Sequence, residues 1–234
     1  MKVFVVNLDR NPERLEFVSR QLLASGVTFE RVAAVDGRTL KRVERKRQYS
    51  PLRAAFACGM GLRDGEIGCS LSHRNIYERM VKENVEVACV LEDDVTIHNG
   101  FLDMLVKIEK FANIAKAQVF MLSNGYRVKS NHDGIIPIEG ATFTDAYVIT
   151  RLAAERILRS QTPVYRTADS WSRWHRWLGV ELYLALPTVA GQDAPPFATE
   201  IAGLKPAWVG TWRWKLWRAF GVTMDWILWK VTGR

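Results

Sequence analysis

Short apolar runs alternate along the chain with segments whose apolar residues recur every three or four positions. Continuous apolar runs predict buried strands, and the longer repeat predicts helices that pack against them. The predicted strands are residues 3–8, 29–35, 85–91, 119–122, 147–149 and 182–186. This alternation predicts an α/β fold, in which helices flank a mostly parallel sheet.

Capping residues mark where the predicted helices begin and end. Asn11 and Pro12 suit the N-cap and the first position of a helix that Gly26 closes. A second helix is predicted over residues 67–83. Further helices are predicted after Asn99, after Thr150, and after either Thr167 or Asp169.

The net charge of +8 is concentrated in two stretches. Residues 38–64 are irregular, basic and glycine-containing, which predicts a mobile loop. The second stretch, residues 205–234, interleaves basic residues with Trp208, Trp212, Trp214, Trp217, Trp226 and Trp229. A basic balance of this kind indicates attraction to phosphate-bearing partners.

The tryptophan-rich stretch predicts a helical tail that lies in a membrane interface. Tryptophan favours the membrane–water boundary, and basic residues favour anionic headgroups. The domain boundary is therefore placed between a domain over residues 1–204 and a basic tail over residues 205–234. Packing of the tryptophans against the domain or a second copy is the competing interpretation. No nucleic-acid-binding module is recognisable, so nucleic acid is not an expected partner.

Cysteine usage and hydropathy indicate a cytoplasmic protein. Cys58, Cys69 and Cys89 are odd in number and lie in apolar surroundings, which predicts buried free thiols. The first residues do not form a signal-peptide pattern, and no apolar run approaches the ~18 residues of a membrane-spanning helix. Combined with the basic tail, this predicts a peripheral protein on the inner face of the cytoplasmic membrane.

Polar residues follow the ends of predicted strands, where ligands of α/β sheets bind. Asn7, Ser123 and the acidic triplet of residues 92–94 all fall there. Adjacent carboxylates suit Mn²⁺ or Mg²⁺, which keep coordination positions open for substrate phosphates. Continued strand alternation would place Glu92 and Asp94 on one side and Asp93 on the other. In the competing interpretation these acids only solvate the end of a strand.

Four motifs together resemble glycosyltransferase family 25, which includes lipopolysaccharide and lipooligosaccharide glycosyltransferases and collagen galactosyltransferase domains. They are Val6-Asn7-Leu8 with Arg14, Gly65-Glu66-Ile67-Gly68-Cys69 with Ser72-His73, Leu91-Glu92-Asp93-Asp94, and Ala146-Tyr147-Val148-Ile149 with Ala153-Ala154. The resemblance extends from residue 1 to about residue 199, with a gap over residues 38–60.

This resemblance implies a GT-A type nucleotide-sugar fold and a metal-dependent, inverting transfer. The implied donor is a UDP-sugar, commonly UDP-galactose, and the implied acceptor is a glycolipid or oligosaccharide of lipopolysaccharide type. Asp94 is the expected direct metal ligand, supported by Glu92, while Asp93 is expected to face the ribose or the sugar. In the mechanism that the resemblance implies, the ion would stabilise negative charge that develops on the departing UDP.

The other motif residues are expected around the donor. Asn7 and Arg14 are candidate nucleotide contacts, and Glu66, Ser72 and His73 are expected to line the donor pocket. Three of them have a structural alternative: Asn7 satisfies backbone groups at a strand end, Arg14 lies on a solvated helix face, and His73 holds the fold together.

An inverting transfer needs a general base that removes the proton of the acceptor hydroxyl. Asp169 is preferred for this role over Asp145 and Asp193, although it also suits a helix N-cap. Gln192 belongs to a late loop that closes on the donor in relatives, or it lies in a simple turn. A catalytically inactive sugar- or nucleotide-binding protein at a membrane surface is the alternative function.

Overall fold

The computed structural model describes residues 1–123 and 133–192. In these ranges the strands are β1 (Lys2–Asn7), β2 (Glu30–Ala33), β3 (Val87–Glu92), β4 (Thr96–Ile97), β5 (Gln118–Met121), β6 (Gly134–Ile138), β7 (Ala146–Thr150), β8 (Glu181–Leu186) and β9 (Ala190–Gly191). The helices are α1 (Pro12–Ala24), α2 (Arg42–Gln48), α3 (Pro51–Cys58), α4 (Asp64–Lys82), α5 (Phe101–Phe111), α6 (Arg151–Ser160) and α7 (Trp171–Leu178).

Seven strands form one sheet in the order β2-β1-β3-β7-β5-β8-β6, and β4 pairs with β9 separately. β1 is parallel to β2 and β3, and β5 is parallel to β8. β7 is antiparallel to both β3 and β5, and β6 is antiparallel to β8. Five of the seven strands therefore run in one direction, which confirms the predicted α/β architecture with a mostly parallel sheet.

Two apolar cores cover the two faces of the sheet. Along β3, Val90 enters the core beneath α4, α6 and α7, whereas Leu91 enters the core beneath α1 and α5. This split follows from the alternation of side chains along a strand. Because β3 is buried on both faces, its sequence is continuously apolar, as expected for a central strand of a helix-covered sheet.

The reversal of β7 matters for the edge at which β3 ends. Leu91 pairs with Ala146, so the beginning of β7 lies beside the end of β3. The backbone N–H of Glu92 donates to the carbonyl of Asp145 at 2.8 Å. Asp145 is thereby placed next to the acidic triplet, although about fifty residues separate them in the sequence.

The prediction of a mobile loop over residues 38–64 is wrong, because this stretch contains α2 and α3. α3 begins with Ser50, whose hydroxyl accepts from the backbone of Arg53, followed by Pro51 at the first helical position. It ends at Gly59, whose φ of 74° is left-handed. These are standard start and stop signals. α2 buries no residue, so it lacks the apolar repeat by which a helix is recognised.

Several predicted caps are displaced or work differently. The N-cap of α5 is Gly100 rather than Asn99, and that of α7 is Ser170 rather than Thr167 or Asp169. Thr150 does occupy the N-cap of α6, but its hydroxyl donates to the carbonyl of Lys116 instead of capping the helix. The edge strand β6 was not predicted, since Pro137 lies within it and proline disfavours a strand assignment.

Cys58, Cys69 and Cys89 are free thiols, of which Cys89 is fully buried and the other two are half-buried. Among the described residues, none of the helices has both the length and the hydropathy needed to cross a bilayer. Asp193, the boundary at residue 204 and the tryptophan-rich tail lie outside the described residues.

Candidate functional site

A cleft of about 470 Å³ opens at the edge where β1 and β3 end. Its walls come from the ends of these strands, the segment after β2, the beginning of α4, and the loops before β7 and α7. Ligand sites of α/β sheets lie outside the carboxyl ends of strands, so the position of the cleft agrees with the fold. The predicted site residues that line it are Arg14, Glu66, Ser72, His73, Glu92, Asp93, Asp94, Asp145 and Asp169, whereas Asn7 does not.

The acidic triplet lies at the floor of the cleft and divides into two parts. β3 ends at Glu92, so Asp93 and Asp94 lie in a turn and the strand alternation does not continue through them. Arg14 Nη1 lies 3.0 Å from Asp93 Oδ1 and 3.4 Å from Asp94 Oδ2. Asp93 and Asp94 therefore share one guanidinium, while Glu92 faces His73 on α4.

Arg14 is buried rather than solvated. It lies in the first turn of α1, and only 6 % of its surface is exposed. A short connection from β1 to α1 places this turn above the carboxyl edge of the sheet. An arginine in this position lowers the cost of burying two neighbouring carboxylates, since buried charges need partners.

Asn7 organises this edge from the end of β1. Its side-chain amide donates to the Asn11 carbonyl at 2.8 Å and to Asp93 Oδ2 at 2.7 Å, and its Oδ1 accepts from Arg31 Nε at 2.9 Å. Asn7 is 1 % exposed, so it acts on the cleft through Asp93. Both carboxylate oxygens of Asp93 are consequently engaged, one by Asn7 and the other by Arg14.

The electrostatics of the cleft are those of crowded, buried acids. Burial, followed by the charge of Glu92, raises the pKa of Asp94 to about 6. Burial also raises the pKa of Asp145 to about 6, with Glu92 adding to the effect and the Ser123 hydroxyl opposing it from 2.6 Å. Burial alone would raise the pKa of Glu92, but His73 and Thr144 hold it below its usual value.

The donor set fits a hard divalent cation. Asp94, Glu92 and Asp145 offer carboxylate oxygens around one cleft, and Arg14 lies against Asp93 and Asp94. Burial first, and then the charge of Glu92, raises the pKa of Asp94, and a bound cation would favour its ionised form. Mn²⁺ and Mg²⁺ accept such oxygen ligands, so the residues present can hold the ion that the resemblance implies.

The beginning of α4 forms one wall and is closely packed. The Glu66 carboxylate accepts from the backbone N–H of Arg63 at 2.8 Å, which caps the helix, and also contacts the Arg63 guanidinium at 2.7 Å. The Ser72 hydroxyl accepts from the backbone of Val35 at 2.8 Å, which ties α4 to the segment after β2. Glu66 and Ser72 therefore have structural roles as well as positions on the cleft wall.

Gly68 explains why the glycine of this motif is required. A Cβ at residue 68 would lie 2.4 Å from the carbonyl oxygen of Val35 and 2.7 Å from the amide nitrogen of Gly37. Both neighbours are backbone atoms, which cannot rotate away. Only glycine lets α4 approach the segment after β2 at this distance.

His73 belongs to a buried chain of polar side chains that ends at the cleft. Its Nδ1 lies 2.7 Å from the Tyr147 hydroxyl, which in turn lies 2.8 Å from the Tyr77 hydroxyl. On the other side, His73 Nε2 lies 3.4 Å from Glu92 Oε1. The two tyrosines fix the orientation of the imidazole, so His73 both holds the fold together and presents one nitrogen to the cleft.

The two described candidates for a general base have different surroundings. Asp169 lies exposed at the rim, just before the N-cap Ser170, and its side chain forms no hydrogen bond with another described residue. Asp145 is 3 % exposed and bound to Ser123. Asp169 is therefore the more accessible to an acceptor, whereas Asp145 lies closer to the acidic triplet in the sheet.

Sequence reasoning missed several residues of the cleft. Arg10 and Arg38 both form ion pairs with Asp36, and all three residues line the cleft. The Thr144 hydroxyl donates to the Glu92 carboxylate. Gln192, in the predicted late loop, donates from its side-chain amide to Asp94 Oδ1 at 3.1 Å. A usable signal existed for Arg10 and Asp36, because each lies within three residues of a strand's carboxyl end.

Comparison with solved structures gives a weak likeness to the galactosyltransferase LgtC in complex with donor and acceptor sugar analogues. The match covers 95% of this chain and 96% of that one, with a TM-score of 0.42 and 11% identity.

The sequence comparisons are stronger. "Inactive glycosyltransferase 25 family member 3" of Mus musculus is 30% identical over 177 residues, which cover 70% of this chain. Procollagen galactosyltransferase 2 of Homo sapiens is 26% identical over 171 residues, which cover 67% of this chain. The matches span only 30% and 27% of the lengths of these two relatives.

The profile of glycosyltransferase family 25 (LPS biosynthesis protein) matches residues 1–143. This region carries α1, α4 and the acidic triplet, which together form the floor and one wall of the cleft. The chain belongs to glycosyltransferase family 25.

Proposed function

We propose that this chain is a metal-dependent, inverting glycosyltransferase that moves a hexose from a UDP-sugar onto a lipopolysaccharide or lipooligosaccharide acceptor. One observation carries the proposal: buried carboxylates and arginines line the same cleft at the carboxyl edge of the sheet. Carboxylates hold a divalent cation, and guanidinium groups bind phosphate oxygens. A nucleoside diphosphate sugar complexed with a cation matches both.

The division of labour follows from the positions of the side chains. Asp94, with Glu92 beside it, would hold the ion, which when bound neutralises charge that develops on the departing diphosphate. Arg10, Arg38 and Arg63 line the cleft and supply positive charge for the phosphates. Asn7 and Arg14 hold Asp93 and Asp94 in place rather than standing free for the nucleotide.

The acceptor step requires a group that takes one proton from the attacking hydroxyl. We assign it to Asp169, because this carboxylate lies at the exposed rim where a large acceptor reaches the cleft. Asp145 remains the alternative within the described residues. Its pKa near 6 suits proton transfer, but its burial keeps it away from a bulky acceptor.

Galactose is proposed as the sugar because of the names of the relatives. Relatives from several animals are procollagen galactosyltransferases. The acceptor class is proposed from the family's description as an LPS biosynthesis protein. Transfer to a glycolipid also agrees with the basic, tryptophan-rich residues 205–234.

The proposed location is the inner face of the cytoplasmic membrane, where the tail meets anionic lipid. A described surface supports this proposal. Val43 on α2 and Leu52 on α3 are 69% and 73% exposed, and the same pair of helices carries exposed Lys46 and Arg47. Apolar side chains that project among cations are typical of interfacial binding.

The test uses the full chain with UDP-galactose, UDP-glucose and UDP-N-acetylglucosamine, each with Mn²⁺ or Mg²⁺. We expect slow release of UDP from one donor, loss of release with a chelator, and an increase in melting temperature when donor and metal are added together. Melting-temperature shifts without release, even with added acceptor glycan, would indicate a binding protein, the state that the name of the mouse relative describes. The absence of both a melting-temperature shift and UDP release would refute the proposal.

A further inference from the structure

A second cluster of ligating side chains lies on the wall of the cleft and shares Glu92 with the acidic triplet. Cys69 and His73 are four residues apart on α4, so both project from the same face of that helix. Glu92 approaches them from the end of β3. The Cys69 sulfur, a ring nitrogen of His73 and a carboxylate oxygen of Glu92 all lie within 4.8 Å of one another.

The imidazole of His73 has one nitrogen that the protein leaves without a hydrogen bond. His73 is 1 % exposed, and its Nδ1 is engaged by the Tyr147 hydroxyl at 2.7 Å. Its Nε2 is buried and forms no hydrogen bond within residues 1–123 and 133–192. Glu92 Oε1 lies 3.4 Å away, which is longer than a normal hydrogen bond, and buried polar atoms left in this way often indicate an absent ion or water.

The chemistry of the three donors differs from that of the Asp94 site. Thiolate, imidazole and carboxylate together are ligands of Zn²⁺, whereas Mg²⁺ and Mn²⁺ prefer oxygen alone. The 3.4 Å between His73 Nε2 and Glu92 Oε1 is close to the ligand spacing of a tetrahedral site with metal–ligand bonds of about 2.0–2.1 Å. The fourth position would face the cleft, where water or a ligand oxygen can enter.

We propose that Cys69 Sγ, His73 Nε2 and a Glu92 carboxylate oxygen form a site for one Zn²⁺, separate from the ion held at Asp94. The Tyr147 hydroxyl is the outer partner of the histidine ligand. Its contact with Nδ1 fixes the ring and directs Nε2 toward the ion. Histidine ligands of metals usually have such an outer partner. The Cys69 thiol releases its proton to solvent as the metal–sulfur bond forms, so one Zn²⁺ replaces one proton.

Occupation of this site would affect the neighbouring chemistry. Glu92 is the supporting ligand for the ion at Asp94, so Zn²⁺ that takes Glu92 weakens that support. Zn²⁺ therefore inhibits transfer without competing directly for Asp94. This consequence rests on the proposed function. The binding itself does not depend on the glycosyltransferase activity.

The experiment uses Co²⁺ as a spectroscopic substitute for Zn²⁺ in the full chain. A thiolate bound to Co²⁺ gives an intense charge-transfer absorption that oxygen and nitrogen ligands do not produce. We expect one equivalent of Co²⁺ to develop this band and one equivalent of Zn²⁺ to remove it. Cys69→Ser and Cys69→Ala should both abolish the band.

Three further variants separate this site from the rest of the protein. Cys58→Ser removes another half-buried free thiol, and Asp94→Asn disables the oxygen site, so both should retain the band. Tyr147→Phe removes the outer partner and should weaken Co²⁺ binding about 10- to 100-fold without abolishing the band.

Absence of the band in the wild-type chain would overturn the proposal. So would a band that persists in both Cys69 variants, or one that disappears in Cys58→Ser. Zn²⁺ affinity, measured by competition with a chromophoric chelator, provides a second readout. Equal affinities for the wild type and the Cys69 variants would also refute the site. These results are independent of UDP release, so failure of the zinc site and failure of the proposed function can be told apart.

Discussion

At the scale of residues, the three consecutive acids have different surroundings although their chemistry is the same. Glu92 ends a strand and faces His73, Asp93 is held by Asn7 and Arg14, and Asp94 receives a 3.1 Å hydrogen bond from Gln192. The contacts of Asp94, 3.4 Å to Arg14 and 3.1 Å from Gln192, are longer than those of Asp93, 3.0 Å to Arg14 and 2.7 Å from Asn7. Asp94 is therefore held less tightly and is the member best placed to meet an ion in the cleft. The polypeptide turn after Glu92 creates this difference.

Asp94→Asn should abolish metal-dependent transfer while preserving the fold. Asparagine keeps the size of the side chain but loses the charge that holds a cation, and a Lewis-acid ion contributes several kcal/mol, or roughly 10²-fold or more in rate. Turnover with Mn²⁺ is the measurement, and thermal unfolding is the control. Removal of one of several crowded carboxylates should not lower the melting temperature.

Glu92→Gln is the matched variant for this prediction. Its carboxylate supports the ion from the side of His73, so its loss should reduce turnover less than the loss of Asp94. If Asp94→Asn is well folded and works at nearly the wild-type rate, the assignment of the metal ligand is wrong.

Asp169→Asn should reduce turnover far more than donor binding. A general base acts only on the acceptor proton, and its loss typically costs ~10²–10⁴-fold. Turnover and donor affinity, the latter from thermal shifts, should be measured together. Asp145→Asn is the comparison, and if it alone reduces turnover, the base belongs at Asp145 instead.

At the scale of elements, α4 carries more of the site than any other described helix. One turn presents Gly68 to the segment after β2, and neighbouring positions present Cys69, Ser72 and His73 to the cleft or the core. A helix can do this because residues three and four apart share a face. The spacing of Gly68, Ser72 and His73 in the motif therefore places each residue on the face of α4 from which it makes its contact.

Gly68→Ala should destabilise the protein. The added Cβ would approach the Val35 carbonyl oxygen at 2.4 Å, so α4 or the segment after β2 must move. Overpacking of this kind costs about 1–3 kcal/mol, measurable as the change in the free energy of unfolding in urea.

Gly61→Ala is the control for this substitution. Its Cβ would meet only the Tyr49 hydroxyl, at 3.2 Å, and that atom is the end of a side chain. Its effect on stability should be clearly smaller. Equal losses in the two variants would mean that the close approach of α4 is not the reason for the glycine.

At the scale of the whole molecule, the direction of one strand assembles the site. β7 runs against β3, so its first residues, rather than its last, lie at the edge where Glu92 ends. This arrangement brings Asp145 and Thr144 to the cleft, and β5 brings Ser123 to Asp145. A parallel β7 would have placed Thr150 there instead.

Truncation after Lys205 should separate donor chemistry from membrane binding. The described cleft residues all precede residue 193, so UDP release should remain largely intact. Binding to anionic vesicles and transfer to a lipid-linked acceptor should both decrease. For the full chain, vesicle binding should also weaken with salt, because exposed charges are screened beyond ~8 Å at physiological ionic strength. Unfolding of the truncated chain, or loss of UDP release, would place these tryptophans in the core.

Much of this protein follows from its sequence alone. Continuous apolar runs specify β1 and β3 as buried strands, and the acids after β3 follow directly from its end. The helix start at Asn11-Pro12 and the face shared by Gly68 and Ser72 are also local properties. Such features depend on residues close together in the chain, so periodicity and capping residues report them.

Only the tertiary structure decided the rest. The direction of β7, the burial of Arg14 between two acids, and the meeting of Cys69 with Glu92 depend on contacts between distant segments. α2 escaped prediction because it buries nothing, so no apolar repeat records it. Strand direction and charge pairing are set by the packing of the whole sheet, and local sequence patterns carry no information about them.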